Sequence, residues 1–260
     1  MQPNLDQMQW SGSVVNNFKL VIEYDGTQYH GWQRQPNGAS IQQTVETAIE
    51  TMTRQEITLI GSGRTDAGVH ALGQTANFRC ETRLQPDEIQ KGLNSLLPKD
   101  IVIHQCQTVP LEFHARYDVK SKRYRYCILN RHLPSAIGRQ YAWWIRSPLD
   151  ISAMQQAVDH IVGEHDFKSF EATGSPRGHT RRRVLKARCE RQAGGGLTFE
   201  ISADGFLRYM VRNIVGTLVS VGMHRITPAR FEEVLNAKDR TQAGATAPAH
   251  GLFLVEVLYS

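Results

Sequence analysis

SIQQTVETAIETMTRQEITLI, residues 40–60, changes its hydrophobic period partway along, and that change decides the fold. Ser40-Ile41-Gln42-Gln43 reads as a capping-box start, and Ile41, Val45, Ile49 and Met52 then share one helical face. Ile57 to Ile60 reads instead as a short strand. Upstream, Phe18 to Tyr24 alternates as a strand. Downstream, Gly73 to Arg79 is a strand and Asp87 to Leu97 places Ile89, Leu93, Leu96 and Leu97 at helical spacing until Pro98 stops it. Ile101 to Val109 closes the series as a strand, so the order is β-α-β-β-α-β, the ferredoxin-like or split βαβ signature.

The second half has a similar inventory. Strands are predicted over Lys120 to Leu129, Gln140 to Ile145, Arg181 to Arg191, Leu197 to Ala203 and Leu252 to Tyr259. Helices are predicted over Ile151 to Val162 and Leu207 to Val221, with a third started by Thr227-Pro228. The expected fold is therefore α+β: two ferredoxin-like subdomains sharing a largely antiparallel central sheet, with the groove between them as the natural site. Residues 1–16 read as a flexible leader, 17–112 as the N-terminal subdomain with a glycine-rich loop, and 113–260 as the C-terminal subdomain.

Composition removes several function classes. Ile214 to Met223, the longest apolar run, is about half of a ~20-residue membrane span, and no signal peptide is visible. The four cysteines form no Cys-x-x-Cys pair, which points to a reducing cytosol, and no histidine spacing suggests a metal site. Thirty Lys and Arg against twenty-five Asp and Glu give +5, which permits a polyanionic partner without demanding one.

Three constellations could carry chemistry. Gly61-Ser62-Gly63-Arg64-Thr65-Asp66-Ala67-Gly68-Val69-His70 lies between two strands, and its glycines let backbone approach a ligand closely. Its bland reading is an Asx-turn closed by Asp66, with Arg64 on the surface. His114-Ala115-Arg116-Tyr117 and Lys122-Arg123-Tyr124-Arg125-Tyr126 interleave base and aromatic, as phosphates and nucleobases would require. Arg177 with Arg181-Arg182-Arg183 forms a third basic patch. On the Leu207 to Val221 helix, Arg212 flanks the apolar stripe; facing a buried carboxylate, it would hold that acid ionised below its ordinary pKa.

Together these residues resemble the tRNA pseudouridine synthase A family. The likeness includes the Gly61 to Ala71 loop, Tyr24-Asp25-Gly26-Thr27, Gly31-Trp32-Gln33-Arg34-Gln35, Phe113-His114-Ala115-Arg116, Lys122 to Tyr126, Met210 to Gly216 and Ala237-Lys238-Asp239-Arg240, all in the family's order. It runs from about Phe18 to Tyr259, with Arg208-Tyr209 and the loop from Glu171 to His179 as departures. The resemblance implies the pseudouridine synthase fold and a cytoplasmic homodimer acting without cofactor or metal. It implies isomerisation of uridine to pseudouridine at positions 38, 39 and 40 of the tRNA anticodon arm, after base flipping. By match of motif, Asp66 is the catalytic aspartate, Arg212 its ion-pair partner, Tyr124 the ring stacking on the target base and Arg64 the arginine that assists flipping. Arg116 falls at a tRNA contact, a role extended to His114. Two rivals are a non-catalytic RNA-binding protein, revealed by tRNA binding without product, and an N-glycosidase, revealed by free uracil. The second ordinarily needs another carboxylate flanking the bond, and none adjoins Asp66 in the motif.

Overall fold

The computed structural model describes residues 15–174 and 179–259. The leader expected over 1–16 falls mostly outside them, and Val15 and Asn16 already open the first strand. The first half contains β1 (Val15–Tyr24), α1 (Ile41–Thr53), β2 (Ile60–Gly61), β3 (His70–Glu81), α2 (Pro86–Leu96) and β4 (Ile101–Val109). The second contains β5 (Ser121–Asn130), β6 (Trp143–Ile145), α3 (Ile151–Asp159), β7 (Gly163–Asp166), β8 (Arg181–Arg191) and β9 (Gly196–Ala203). It ends with α4 (Met210–Gly222), α5 (Pro228–Ala237) and β10 (Leu252–Leu258).

One ten-stranded sheet runs β4-β1-β3-β10-β5-β9-β8-β7, with β2 on β3 and β6 on β5. With the short strands β6 and β7 set aside, the order is the same in each half. β4-β1-β3-β2 is the fourth, first, third and second strand of its half, and β10-β5-β9-β8 repeats that order among β5, β8, β9 and β10. Every pairing is antiparallel except β3 with β10 and β5 with β6. The halves join on β3: β2 takes its edge at Ala76 and Asn77, while β10 takes His70 and Ala71. Two-residue β2 is much shorter than the expected Ile57 to Ile60 strand, and Ile57 and Leu59 enter the core without pairing.

Alternation along β1 buries Phe18, Leu20, Ile22 and Tyr24 on one face. In register with Tyr24, a row crosses the sheet through Ala71, Leu254, Tyr124 and Ile201. Ser40 caps α1 by accepting a hydrogen bond from the Gln43 amide, and Ile41, Val45 and Ile49 seal the helix onto the core. α1 packs on α2, whereas α3, α4 and α5 pack on one another. The chain crosses from half to half over residues 110–115, where a buried amide pair fastens it. Asn17 donates to the Pro110 and Phe113 carbonyls at 2.9 and 3.0 Å, and Asn77 accepts from the Ala115 amide at 2.9 Å.

Other departures from the predicted elements are local. α4 begins at Met210 rather than Leu207 because Tyr209 sits in the left-handed region, at φ 64°. Residues 139–141 form one 3-10 turn, leaving only Trp143–Ile145 as strand. α3 ends at Asp159, short of Val162, and Gly163 opens β7, whose sequence GEHD carries no apolar alternation.

Candidate active site

Residues 62–69 cross the fork where β2 and β10 part along β3, and backbone and side-chain bonds set the loop in place. Ser62 donates its amide to the Thr75 carbonyl at 2.8 Å and its hydroxyl to Gln74 at 2.6 Å, while Gln74 donates to the Gly63 carbonyl at 3.0 Å. The Trp32 amide donates to the Thr65 carbonyl at 3.1 Å, and the Tyr24 hydroxyl meets the Thr65 hydroxyl at 2.8 Å. Gly31, at φ +93°, permits this approach: a Cβ there would stand 2.6 Å from the Thr65 oxygen. A loop bonded this heavily can hold a side chain at a fixed point.

That side chain is Asp66. Its carboxylate accepts a hydrogen bond from Arg212 at 3.1 Å, a contact between residues 146 apart that ties the glycine loop of one half to α4 of the other. The Asx-turn reading therefore fails: the carboxylate meets a guanidinium across the cleft. Arg212 is fixed twice more, by donating from Nε to the Ala247 carbonyl at 2.8 Å and by lying 4.7 Å from the Tyr209 ring centre. Both members are largely covered, Arg212 at 14% exposure and Asp66 at 24%. The pair does not hold the acid low, as the sequence suggested. Burial raises the Asp66 pKa above its ordinary 3.8, and Arg212, then Arg208, offset only part of that rise. The carboxylate is consequently poorly solvated, with Arg212 as the main group favouring its charged form.

Gly216, one turn beyond Arg212, brings the 245–247 segment against α4. A Cβ at Gly216 would collide with the Ala245 carbonyl oxygen, so the segment carrying the Ala247 acceptor would have to move. Helix propensity alone favours Gly216→Ala by about 1 kcal/mol. The expected result is the reverse, destabilisation by about 2 kcal/mol, read as a fall of roughly 4–8 °C in Tm. A rise in Tm on thermal melting would show that the segment yields freely.

Tyr124 sits beneath the pair, buried, with its ring edge-on to Phe206 at 4.9 Å. Burial chiefly, then Tyr24 and Asp66, raise its phenol pKa. Arg64 is exposed on the loop, with no hydrogen bond or ion pair among the described residues. His114 and Arg116 lie apart from the carboxylate on the segment leading into β5. The half-buried His114 accepts the Arg116 amide at 3.1 Å and packs on Tyr117, ring centres 4.2 Å apart, while Arg116 is exposed. The structure thus brings Asp66, Arg212 and Tyr124 together and leaves Arg64, His114 and Arg116 around the rim.

The basic strand requires a correction. Arg123 and Arg125 alternate with Tyr124 and Tyr126, which puts them on the opposite sheet face. There Arg123 donates to Glu256 at 3.0 Å, while Arg125 and Arg188 pair with Glu200 at 2.7 and 3.2 Å. These guanidiniums are neutralised by carboxylates rather than set beside Asp66. In the third patch Arg181 pairs with Glu164 at 3.0 Å, and Arg177 lies outside the described residues, as does most of the departure loop beyond Gly174.

Several site residues escaped sequence reasoning. Tyr24 read as a strand end and as part of the Tyr24 to Thr27 motif with no role assigned, yet its hydroxyl props the loop. Tyr209 lies against both Arg208 and Arg212, at 4.8 and 4.7 Å, and Arg208 acts on the Asp66 charge. Lys122 donates to the Ser62 carbonyl at 2.7 Å. Among the described residues no His/Cys/Asp/Glu group could hold a metal ion, and no helix is long and apolar enough to cross a membrane.

A family model described as tRNA pseudouridine synthase matches residues 20–118 and 157–260. The tRNA pseudouridine synthase A of Thermoanaerobacter sp. (strain X514) is 45% identical over 245 residues, covering 94% of this chain and 100% of that protein. The protein of the same name from Acetivibrio thermocellus is 46% identical over 245 residues, with the same coverages. That from Moorella thermoacetica is 45% identical over 243 residues, covering 93% of this chain and 98% of its own.

Proposed function

The chain belongs to the tRNA pseudouridine synthase family, and from that membership we propose that it converts uridine to pseudouridine at positions 38, 39 and 40 of the tRNA anticodon arm. It is an isomerase acting on tRNA. The proposed setting is the cytoplasm, and the proposed assembly a homodimer of chains divided into functional halves at residues 112 and 113. The reaction breaks the N1–C1′ bond, turns the uracil and joins C5 to C1′, the C5 proton leaving to solvent while N1 gains one, so atoms balance without any co-reactant. No electron or phosphoryl group changes hands, so one ionised carboxylate in a site that retains the detached base suffices, without a cofactor.

Asp66 is that carboxylate, and the observation supporting it is its largely covered 3.1 Å pair with Arg212, which joins the loop of one half to α4 of the other. Arg212 keeps the acid charged where burial favours the proton. Taking a stem nucleotide out of its stack costs a few kcal/mol. Stacking on Tyr124 returns about 1–3 kcal/mol, and Arg64, free at the loop surface, fills the space the base leaves. Arg116 and His114 contact the tRNA on the adjoining segment.

The direct test is to incubate the protein with an unmodified tRNA transcript and map pseudouridine. Product at 38, 39 or 40 supports the reading. Bound tRNA without product, or free uracil, overturns it. Tyr124→Leu keeps most of the buried volume and removes the stacking ring. Its single-turnover rate at saturating tRNA should fall roughly 5- to 150-fold, matching 1–3 kcal/mol. An unchanged rate would remove Tyr124 from base recognition.

A further inference from the structure

Lys122 is a charge the mechanism above leaves unused. From β5 its ammonium reaches the glycine loop, donates to the Ser62 carbonyl at 2.7 Å and occupies the space where a Gly63 side chain would stand. That one neutral acceptor uses one of its three N–H bonds. No carboxylate pairs with it among the described residues, in contrast to Arg123 and Arg125 on the same strand. The charge acting on it is another cation, Arg116. Burial, helped by Arg116, draws its pKa from 10.5 to about 8, as happens to an ammonium lacking an anion. A cation in these surroundings gains when something negative arrives.

Geometry says what that is. Gly63 and Asp66 are three residues apart, a span of at most about 10 Å between Cα atoms even fully extended. An anion resting on Lys122 therefore lies within one or two nucleotides of the carboxylate along a strand. We propose that Lys122, with Arg116 beside it, seats an RNA backbone phosphate next to the target uridine, registering the strand so that the ribose of that nucleotide meets Asp66. The glycine at position 63 leaves room for the ammonium against the loop, since a Cβ there would stand 2.4 Å from Lys122 Nζ. This inference rests on the tRNA reading above and adds to it the ligand of a second point in the cleft.

The test uses Lys122→Gln, whose amide can still donate to the Ser62 carbonyl while carrying no charge. Affinity for full-length tRNA transcript is measured by filter binding across a salt series, beside single-turnover rates at saturating tRNA. The expected result is about tenfold weaker binding near 0.1 M salt and a log–log salt slope shallower by about 0.7–0.9, the loss of one phosphate contact. The saturating rate should fall by less than about threefold, and Lys122→Arg should restore the slope. A wild-type slope in Lys122→Gln overturns the proposal. So does a loss confined to the saturating rate, which would make Lys122 a prop for the loop. Should Lys122→Gln fail to fold, Lys122→Met decides: a slope shallower by one contact supports the phosphate seat and the wild-type slope overturns it. Absence of pseudouridine with the wild-type protein would instead strike the underlying reading, and the salt slopes would still report on Lys122.

Discussion

Asp66→Asn should abolish product formation while leaving the protein at least as stable as before. Removing the carboxylate that pairs with Arg212 is expected to lower the single-turnover rate at least about 10³-fold, within the losses seen when a central catalytic group is deleted. Tritium release from C5-labelled uridine in tRNA measures it. Binding of tRNA should persist, because the basic residues around the rim are untouched. Stability goes the other way because the folded protein raises the Asp66 pKa above its ordinary 3.8. A carboxyl whose pKa is higher folded than unfolded binds its proton more tightly in the native state. Stability is then lost as pH climbs from the unfolded value through the folded one, and at neutral pH the charge opposes folding. Asparagine imitates the protonated acid and removes that penalty. Arg212 keeps the Ala247 carbonyl and the Tyr209 ring. Tm at pH 7 should therefore hold or rise, the gain shrinking as pH falls toward 3.8. Measurable turnover would take Asp66 out of the chemistry, and a fall of several degrees in Tm would make its main role structural.

Arg212→Met tests the other member. Without the guanidinium, Asp66 loses the charge and the hydrogen bond that offset its burial, so its already raised pKa climbs further. Losing such a neighbour is typically worth about 1–3 pKa units. The acidic limb of the pH–rate profile should move up by a comparable amount. The expected loss near neutrality is at least about tenfold, with part of the rate returning at alkaline pH as the carboxylate ionises. A loss of equal proportion at every pH would show that Arg212 acts by shape and not through the Asp66 charge.

Much of the first half was legible because local period and burial agree there. Ile41, Val45 and Ile49 read as one helical face and form one. β2 was overestimated because nothing in Ile57 to Ile60 reveals that it shares the edge of β3 with a strand almost two hundred residues later. The start of α4 was misplaced because a left-handed Tyr209 has no local signature. Asp66 stood out through its glycines, but only the tertiary fold could bring Arg212 to it, and only coordinates show that burial outweighs that neighbour. At Arg123 and Arg125 the signal was present and misapplied. The two-residue period that buries Tyr124 and Tyr126 sends the alternating arginines to the other face, toward Glu200 and Glu256.

β10 carries the final consequence. Residues 252–258 are the latest strand in chain order, yet they lie mid-sheet, between β3 and β5. A growing polypeptide emerging from the ribosome can assemble its first half early, with Asp66 already on its loop, but has no seam on which to mount Arg212 opposite. Until this strand is released, the nascent protein holds two unjoined half-sites, and competence for chemistry waits on residues 252–258.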